Sequence, residues 1–175
     1  MITMLTKPLL LAGLATLFSS VAIADDTADI TGPQCDVNFM FDSSALPITA
    51  PGDLAHVASL SLDHPELRLV LDGNTDPIGT FAYNAGLSVR RADAVRVQLV
   101  ALGVDNDKIL IAAYGENAAR RATYADDRRV TVWTTRQSIA AVIGHTFAGH
   151  GIAVKWNKPL TQEEVEMSSQ PMAAR

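Results

Sequence analysis

The chain is poor in the features that mark several function classes. It has one cysteine, Cys35, in 175 residues. No internal disulfide can form. Cys35 reads as a small apolar residue at the edge of the core, with pairing to a second chain as the alternative. Positive charge is scarce: Lys and Arg number 14 against 19 Asp and Glu, for a net charge of −5. That balance lacks the basic footprint that nucleic acid demands, so no nucleic acid is expected as partner. The histidines at 56, 64, 145 and 150 fit no HExxH or Cys/His ligand set, and no metal or other cofactor is expected. No serine stands in a nucleophile-elbow context, and the chain is not expected to be an enzyme. Beyond residue 24 no stretch is apolar for long enough to cross a membrane as a helix.

What is present describes a folded domain. Apolar residues make up 48% and charged residues 19%, the balance of a chain that buries a core. Residues 1–24 read as a secretory signal peptide: Lys7, an apolar run from Pro8 to Val21, then Ala22-Ile23-Ala24 as an A-x-A cleavage signature. The alternative is an uncleaved membrane anchor. Residues 25–35 read as a linker, polar and broken by Gly32-Pro33.

From Asp36 the hydrophobic period becomes regular. Val37, Phe39 and Phe41 alternate as in a strand buried on one face. Residues 49–64 form a helix, with Pro51 in its first turn and Leu54, Val57, Ala58 and Leu62 on one stripe. LRLVLDG at 67–73 is a strand. A helix from about Asn84 to Leu102 buries Leu87, Val95, Leu99 and Leu102, and ends at Gly103. KILIAAYG at 108–115 is a strand, residues 116–127 a polar loop, and RRVTVWT at 128–134 a strand. The order is β-α-β-α-β-β. The fold class is α+β: a two-layer sandwich with a mixed four-stranded sheet and helices on one face. The domain spans residues 36–136.

Residues 137–175 differ in character and read as a C-terminal extension, partly docked and partly mobile. Ile139, Val142, Ile143 and Phe147 share a helical face, IAVKW at 152–156 alternates, and Thr161 with Glu164 suggests a capping box. Docking on the domain is one use of this extension. Contact with an envelope protein partner is the other.

The chemistry concentrates in LVLDGNTDPIGTFAYNAGLSVRRA, residues 69–92. A strand leads into a Gly-bearing loop that holds Asp76, and the helix after it carries Arg91. Both can converge at one end of the sheet. A carboxylate and a guanidinium held side by side, without neutralising each other, suit a zwitterionic ligand. The alternative is that the two merely bridge each other and steady the loop.

These residues carry a resemblance. FMFDSSAL (39–46), GNTDPIG (73–79), NAGLSVRRADAV (84–95), LGV (102–104), YGE (114–116) and DRRV (127–130), in this order and spacing, resemble the OmpA-like C-terminal domain family. OmpA proteins, Pal lipoproteins and MotB stator proteins share that domain. The resemblance implies the β-α-β-α-β-β fold and non-covalent binding of peptidoglycan, through the diaminopimelate of the stem peptide. It implies an exported protein of the periplasm, tethered at the cell wall and outer membrane. It assigns the principal contacts to Asp76 and Arg91, with Asn84 and Arg129 in support. Beside the resemblance, Asn74 in the turn and the loop N–H groups around Thr75 and Gly79 complete the candidate binding site. Asn84 has helix capping as its alternative role, and Arg129 a salt bridge to Asp126 or Asp127. Two positions depart from the family pattern: Asn74 stands where His is usual, and Asp127 where Asn is usual. The competing function is a periplasmic protein-interaction or regulatory module on the same fold, with a weakened wall site.

Overall fold

The computed structural model describes residues 31–119 and 123–156. The elements are β1 (Gly32–Asn38), α1 (Ala50–Asp63), β2 (Arg68–Asn74), α2 (Phe81–Ala101), β3 (Ile109–Gly115), a single turn α3 (Tyr124–Asp127), β4 (Arg129–Thr135), α4 (Ile139–Ala148) and β5 (Ala153–Trp156). The sheet order is β1-β4-β2-β3-β5. β2 and β3 run parallel, joined by α2, and every other pairing is antiparallel. This is the α+β fold that the sequence predicts, with a fifth strand added by the extension.

Alternation along the strands explains the layers. Leu69 and Leu71 of β2, Ile109 and Ile111 of β3, and Val130 and Val132 of β4 point to one face. There they meet Leu54 and Val57 of α1 and Ala92, Val95 and Leu99 of α2, all buried. Burying each such side chain contributes about 1.5–3 kcal/mol, so this face carries most of the fold's stability. Gly73 lets α2 lie close on β2. A Cβ there would stand 2.4 Å from the Ser88 carbonyl oxygen.

The opposite face corrects the expectation of helices on one side only. α4 packs Ile139 and Val142 against Val70, Leu110 and Ala112. Those three strand residues are apolar on both neighbouring positions, so each strand offers two faces to cover. Ser138 caps α4 by accepting the N–H of Ala141. β5 then pairs with β3, in register from Leu110 with Trp156 to Ala113 with Ala153.

Several local expectations shift. The linker ends earlier than expected, because Gly32–Cys35 already pair in β1. The first strand ends at Asn38, so Phe41 is exposed and only Val37 and Phe39 reach the core. Leu62 and Phe147 are exposed. α2 starts a turn before Asn84: the Thr80 hydroxyl caps it by accepting the Tyr83 N–H at 3.2 Å. Residues 1–30, which hold the expected signal peptide, and 157–175, which hold Thr161 and Glu164, lie outside the described residues.

Candidate functional site

The site forms where β2 ends. Residues 75–80 leave the sheet between β1's exit loop and the start of α2. Thr75 is pinned by its N–H to the Gly115 carbonyl at 2.8 Å. Gly115 has φ +56°, and its backbone sits against Asn84 and Ala85 of α2. Asp76 closes the next turn by accepting the Ile78 N–H on Oδ1 at 3.1 Å. Gly79, at φ +116°, turns the chain into α2.

Asp76 is buried, and its counter-charge is Arg128. The Arg128 Nη1 donates to Asp76 Oδ2 at 3.1 Å. Arg128 follows α3 and also donates from Nε to the Phe39 carbonyl. Sequence reasoning passed it over, because DRRV offers two adjacent arginines and no signal in the motif says which faces the loop.

Arg91 projects from the third turn of α2 and has no water-exposed surface. It donates from Nε to the Ser43 carbonyl at 2.8 Å, from Nη1 to the Asn74 carbonyl at 3.1 Å, and from Nη2 to the Met40 carbonyl at 3.1 Å. Its guanidinium also lies 5.4 Å from the Phe39 ring centroid. Desolvation pulls its pKa down to about 10, against an opposing pull from Asp76. It stays charged at neutral pH. Thus Arg91 does not bridge Asp76. It straps the chain at 40–43 to the end of β2.

Asp76 and Arg91 nevertheless line one cavity of about 310 Å³. Phe41, Ile78 and Leu87 give it apolar walls, and Asp42, Tyr83 and Asn84 complete its polar side. Asp42 sits at φ +53° and accepts the Tyr83 hydroxyl. That bond raises the Tyr83 pKa. Asn84 does not cap α2. It donates to Glu116 Oε2 at 2.6 Å, tying α2 to the end of β3.

The remaining sequence candidates fall elsewhere. Arg129 lies behind the sheet, because successive residues of β4 face opposite sides. It lines a second cavity with Asp36 and Thr131, and its Nη1 stands 3.8 Å from Asp127 Oδ1. Asp127 pairs with Arg129 and does not line the cavity of Asp76 and Arg91. Asn74 gives only its backbone carbonyl to Arg91. Its side chain donates to the Asp72 carbonyl at 2.8 Å and faces the second cavity. The Thr75 hydroxyl is buried with no partner among the described residues. No group of three or more His, Cys, Asp or Glu that could hold a metal occurs among them.

Comparison with known proteins places the fold. The OmpA family pattern matches residues 38–132, more than half of the chain. The outer membrane porin F of Pseudomonas fluorescens is 37% identical over 108 residues, covering 59% of this chain and 33% of the porin. The peptidoglycan-associated lipoprotein of Haemophilus influenzae is 39% identical over 83 residues, covering 45% of this chain and 54% of the lipoprotein. The chain thus spans between a third and about half of these relatives' length. Among solved structures, the peptidoglycan-associated lipoprotein of Burkholderia pseudomallei superposes with a TM-score of 0.54 at 30% identity, over 57% of this chain and 89% of that one. The C-terminal domain of Helicobacter pylori MotB shares the fold at a TM-score of 0.51 and 18% identity, over 67% of this chain and 93% of that one. The family is structural and not enzymatic. The chain, whose β-α-β-α-β-β core is matched by this pattern over residues 38–132, belongs to the OmpA family.

Proposed function

We propose that this domain binds peptidoglycan non-covalently and tethers its chain in the bacterial cell envelope, with the diaminopimelate of the stem peptide as the group recognised. The export and periplasmic location expected from the sequence belong to the same reading. One observation carries it: Asp76 and Arg91 line one cavity while neither neutralises the other. Diaminopimelate ends in an ammonium and a carboxylate on one stereocentre. Asp76 receives the ammonium. Arg91, fully buried, uses three of its five N–H groups on backbone carbonyls and sets a positive charge behind the cavity wall for the carboxylate. Phe41, Ile78 and Leu87 flank the ligand's aliphatic spacer. Hydrogen bonds to charged groups contribute about 1.5–3 kcal/mol each, and salt screens part of that at an open mouth. A single site therefore binds modestly, and many domains on one polymeric wall gain from avidity.

Co-sedimentation with purified sacculi tests this. Free meso-diaminopimelate releases the protein, and walls that carry lysine in its place fail to retain it. Retention that diaminopimelate does not compete overturns the ligand assignment while leaving wall association standing.

A second reading has support at the mouth of the same cavity, where Phe41, Phe81, Ile78 and Tyr83 are exposed. Such an apolar rim suits a protein partner. Capture of an envelope protein by a variant that has lost wall binding favours that reading.

A further inference from the structure

We propose that the opposite face of the sheet carries a second binding groove, for an uncharged saccharide chain such as the wall's own glycan strand. α4 covers only the half of that face formed by Val70, Leu110 and Ala112. The other half stays open among the described residues. Two cavities of about 460 and 740 Å³ lie on it and share Asp72, Tyr114 and Trp133, so they form one continuous trough.

Trp133 is the informative residue. It sits on β4, in the interior of the sheet, yet it is 37% exposed. It lines both cavities beside Asp72. Tyr114, half-buried, lines both cavities too, and Thr146 of α4 lines the second with it. Aromatic faces with a polar edge suit a ligand that is apolar on one side and hydroxylated on the other. A pyranose ring has that character.

The charges around the trough are answered by one another. Arg129 stands 4.0 Å from Asp36 and 3.8 Å from Asp127 at one end, and Arg136 at the other pairs with Glu66 at 3.1 Å. An ion would have to compete with these pairs, and an uncharged ligand does not. Hydroxyl and acetamido groups find acceptors and donors of both kinds, with Thr131 and Thr135 along β4. The trough also continues toward the first site. Asn74 lines it with a side chain that is 1% exposed, and its backbone carbonyl receives Arg91 on the far side of β2. The Asn74 Oδ1 has no partner among the described residues. A polymer that bears both sugar and peptide is thus met on two sides of one strand end.

The inference goes beyond the peptide site and is tested apart from it. The probes are chitooligosaccharides of N-acetylglucosamine of two lengths, with dextran as the control polymer. The chain has two tryptophans, Trp133 and Trp156, and their indole N–H resonances report separately. Both amino-sugar probes shift the Trp133 resonance saturably and leave Trp156 in place, and dextran moves neither. Asp76→Asn keeps that response, whatever it does to wall binding. Trp133→Leu and Thr131→Val, checked as folded by circular dichroism, weaken glycan binding by about tenfold, as the loss of a central anchor does. The proposal is overturned by an unmoved Trp133 resonance, by an equal response to dextran, or by a Trp133-dependent dimer. A Trp133 resonance that moves when residues 157–175 are removed also overturns it, since the chain's own end then fills the trough.

Discussion

Asp76 is held by Arg128 and not by Arg91, the partner that the bridging alternative gave it. The Arg128 Nη1 lies 3.1 Å from Asp76 Oδ2, while Arg91 spends its donors on the carbonyls of Met40, Ser43 and Asn74. In the proposed binding mode the two guanidinium groups divide the work: Arg128 poises the carboxylate at the cavity, Arg91 sets positive charge behind it, and a ligand ammonium shares Asp76 with Arg128 without breaking a bridge to Arg91.

Asp76→Asn separates charge from shape. The amide oxygen still accepts the Ile78 N–H, so the turn persists. The negative charge that attracts an ammonium is gone. Binding to sacculi is expected to fall by about tenfold or more, the scale of one charge-assisted hydrogen bond. Arg128 loses its counter-charge at a partly buried position, and the melting temperature drops by only a few degrees. Sedimentation and calorimetry on one preparation check both. A variant that sediments as well as the wild type ends the role given to Asp76.

Arg91→Ala behaves differently. Sequence reasoning expects this change to spare the fold, on the ground that a ligand-binding charge needs solvent access. The structure reverses that expectation, because Arg91 is fully buried and satisfies three backbone carbonyls. Its removal leaves those acceptors unpaired and opens a cavity under Phe39. The cost is expected to be about 3 kcal/mol or more. Arg91→Lys keeps the charge but cannot reach three carbonyls with one ammonium, and falls between the two. Urea denaturation of the three proteins measures the order.

How much of this was legible follows from what each residue does. Period-two alternation around Leu69, Leu71, Val130 and Val132 announces the strands, because one face of each is packed in the core. The loop position of Asp76 is legible, because Gly73, Pro77 and Gly79 around it mark the turn that its Oδ1 closes. The fifth strand was legible as the alternation of IAVKW, although its place beside β3 is a tertiary fact that no local pattern encodes. Arg128 and Arg129 are adjacent and chemically alike. Only the register of β4 against β1, with Asn38 opposite Arg129, decides which one reaches Asp76. Burial of Arg91 was illegible for the same reason: its partners are carbonyls at 40, 43 and 74, and carbonyls leave no mark in a sequence.

Truncation after Arg136 removes α4 and β5. Val70, Leu110 and Ala112 then lose their cover, and the outer edge of β3 loses its partner. Ile139 and Val142 are each worth about 1.5–3 kcal/mol on burial. The truncated domain is expected to be clearly less stable and to aggregate through the bare β3 edge. Its wall binding, per folded molecule, is expected to persist, since no residue of α4 or β5 lines the Asp76 cavity. Loss of binding in a preparation still folded by circular dichroism moves part of the site into the extension.

Asp72 makes the fold's stability depend on pH in an identifiable direction. Burial raises its pKa from 3.8 to about 7, against smaller opposing effects of the Trp133 hydrogen bond and the Arg129 charge. Its folded pKa therefore lies above the unfolded one. Between pH 4 and 7 the folded state holds a proton that the unfolded state has lost, so stability falls as pH rises through that window and levels off above it. At 1.36 kcal/mol per unit the upper bound is about 4 kcal/mol, and water in the open trough reduces it. Asp72→Asn abolishes the titration and keeps an acceptor for the Trp133 indole. The variant is expected to match the wild type near pH 4 and to exceed it above pH 7. Other carboxylates titrate in both proteins and cancel in the difference, which isolates Asp72. Unfolding curves at pH 4, 5.5, 7 and 8 measure it. A difference that stays constant across that range shows that Asp72 is ionised throughout, and that the floor of the trough carries a full negative charge at neutral pH.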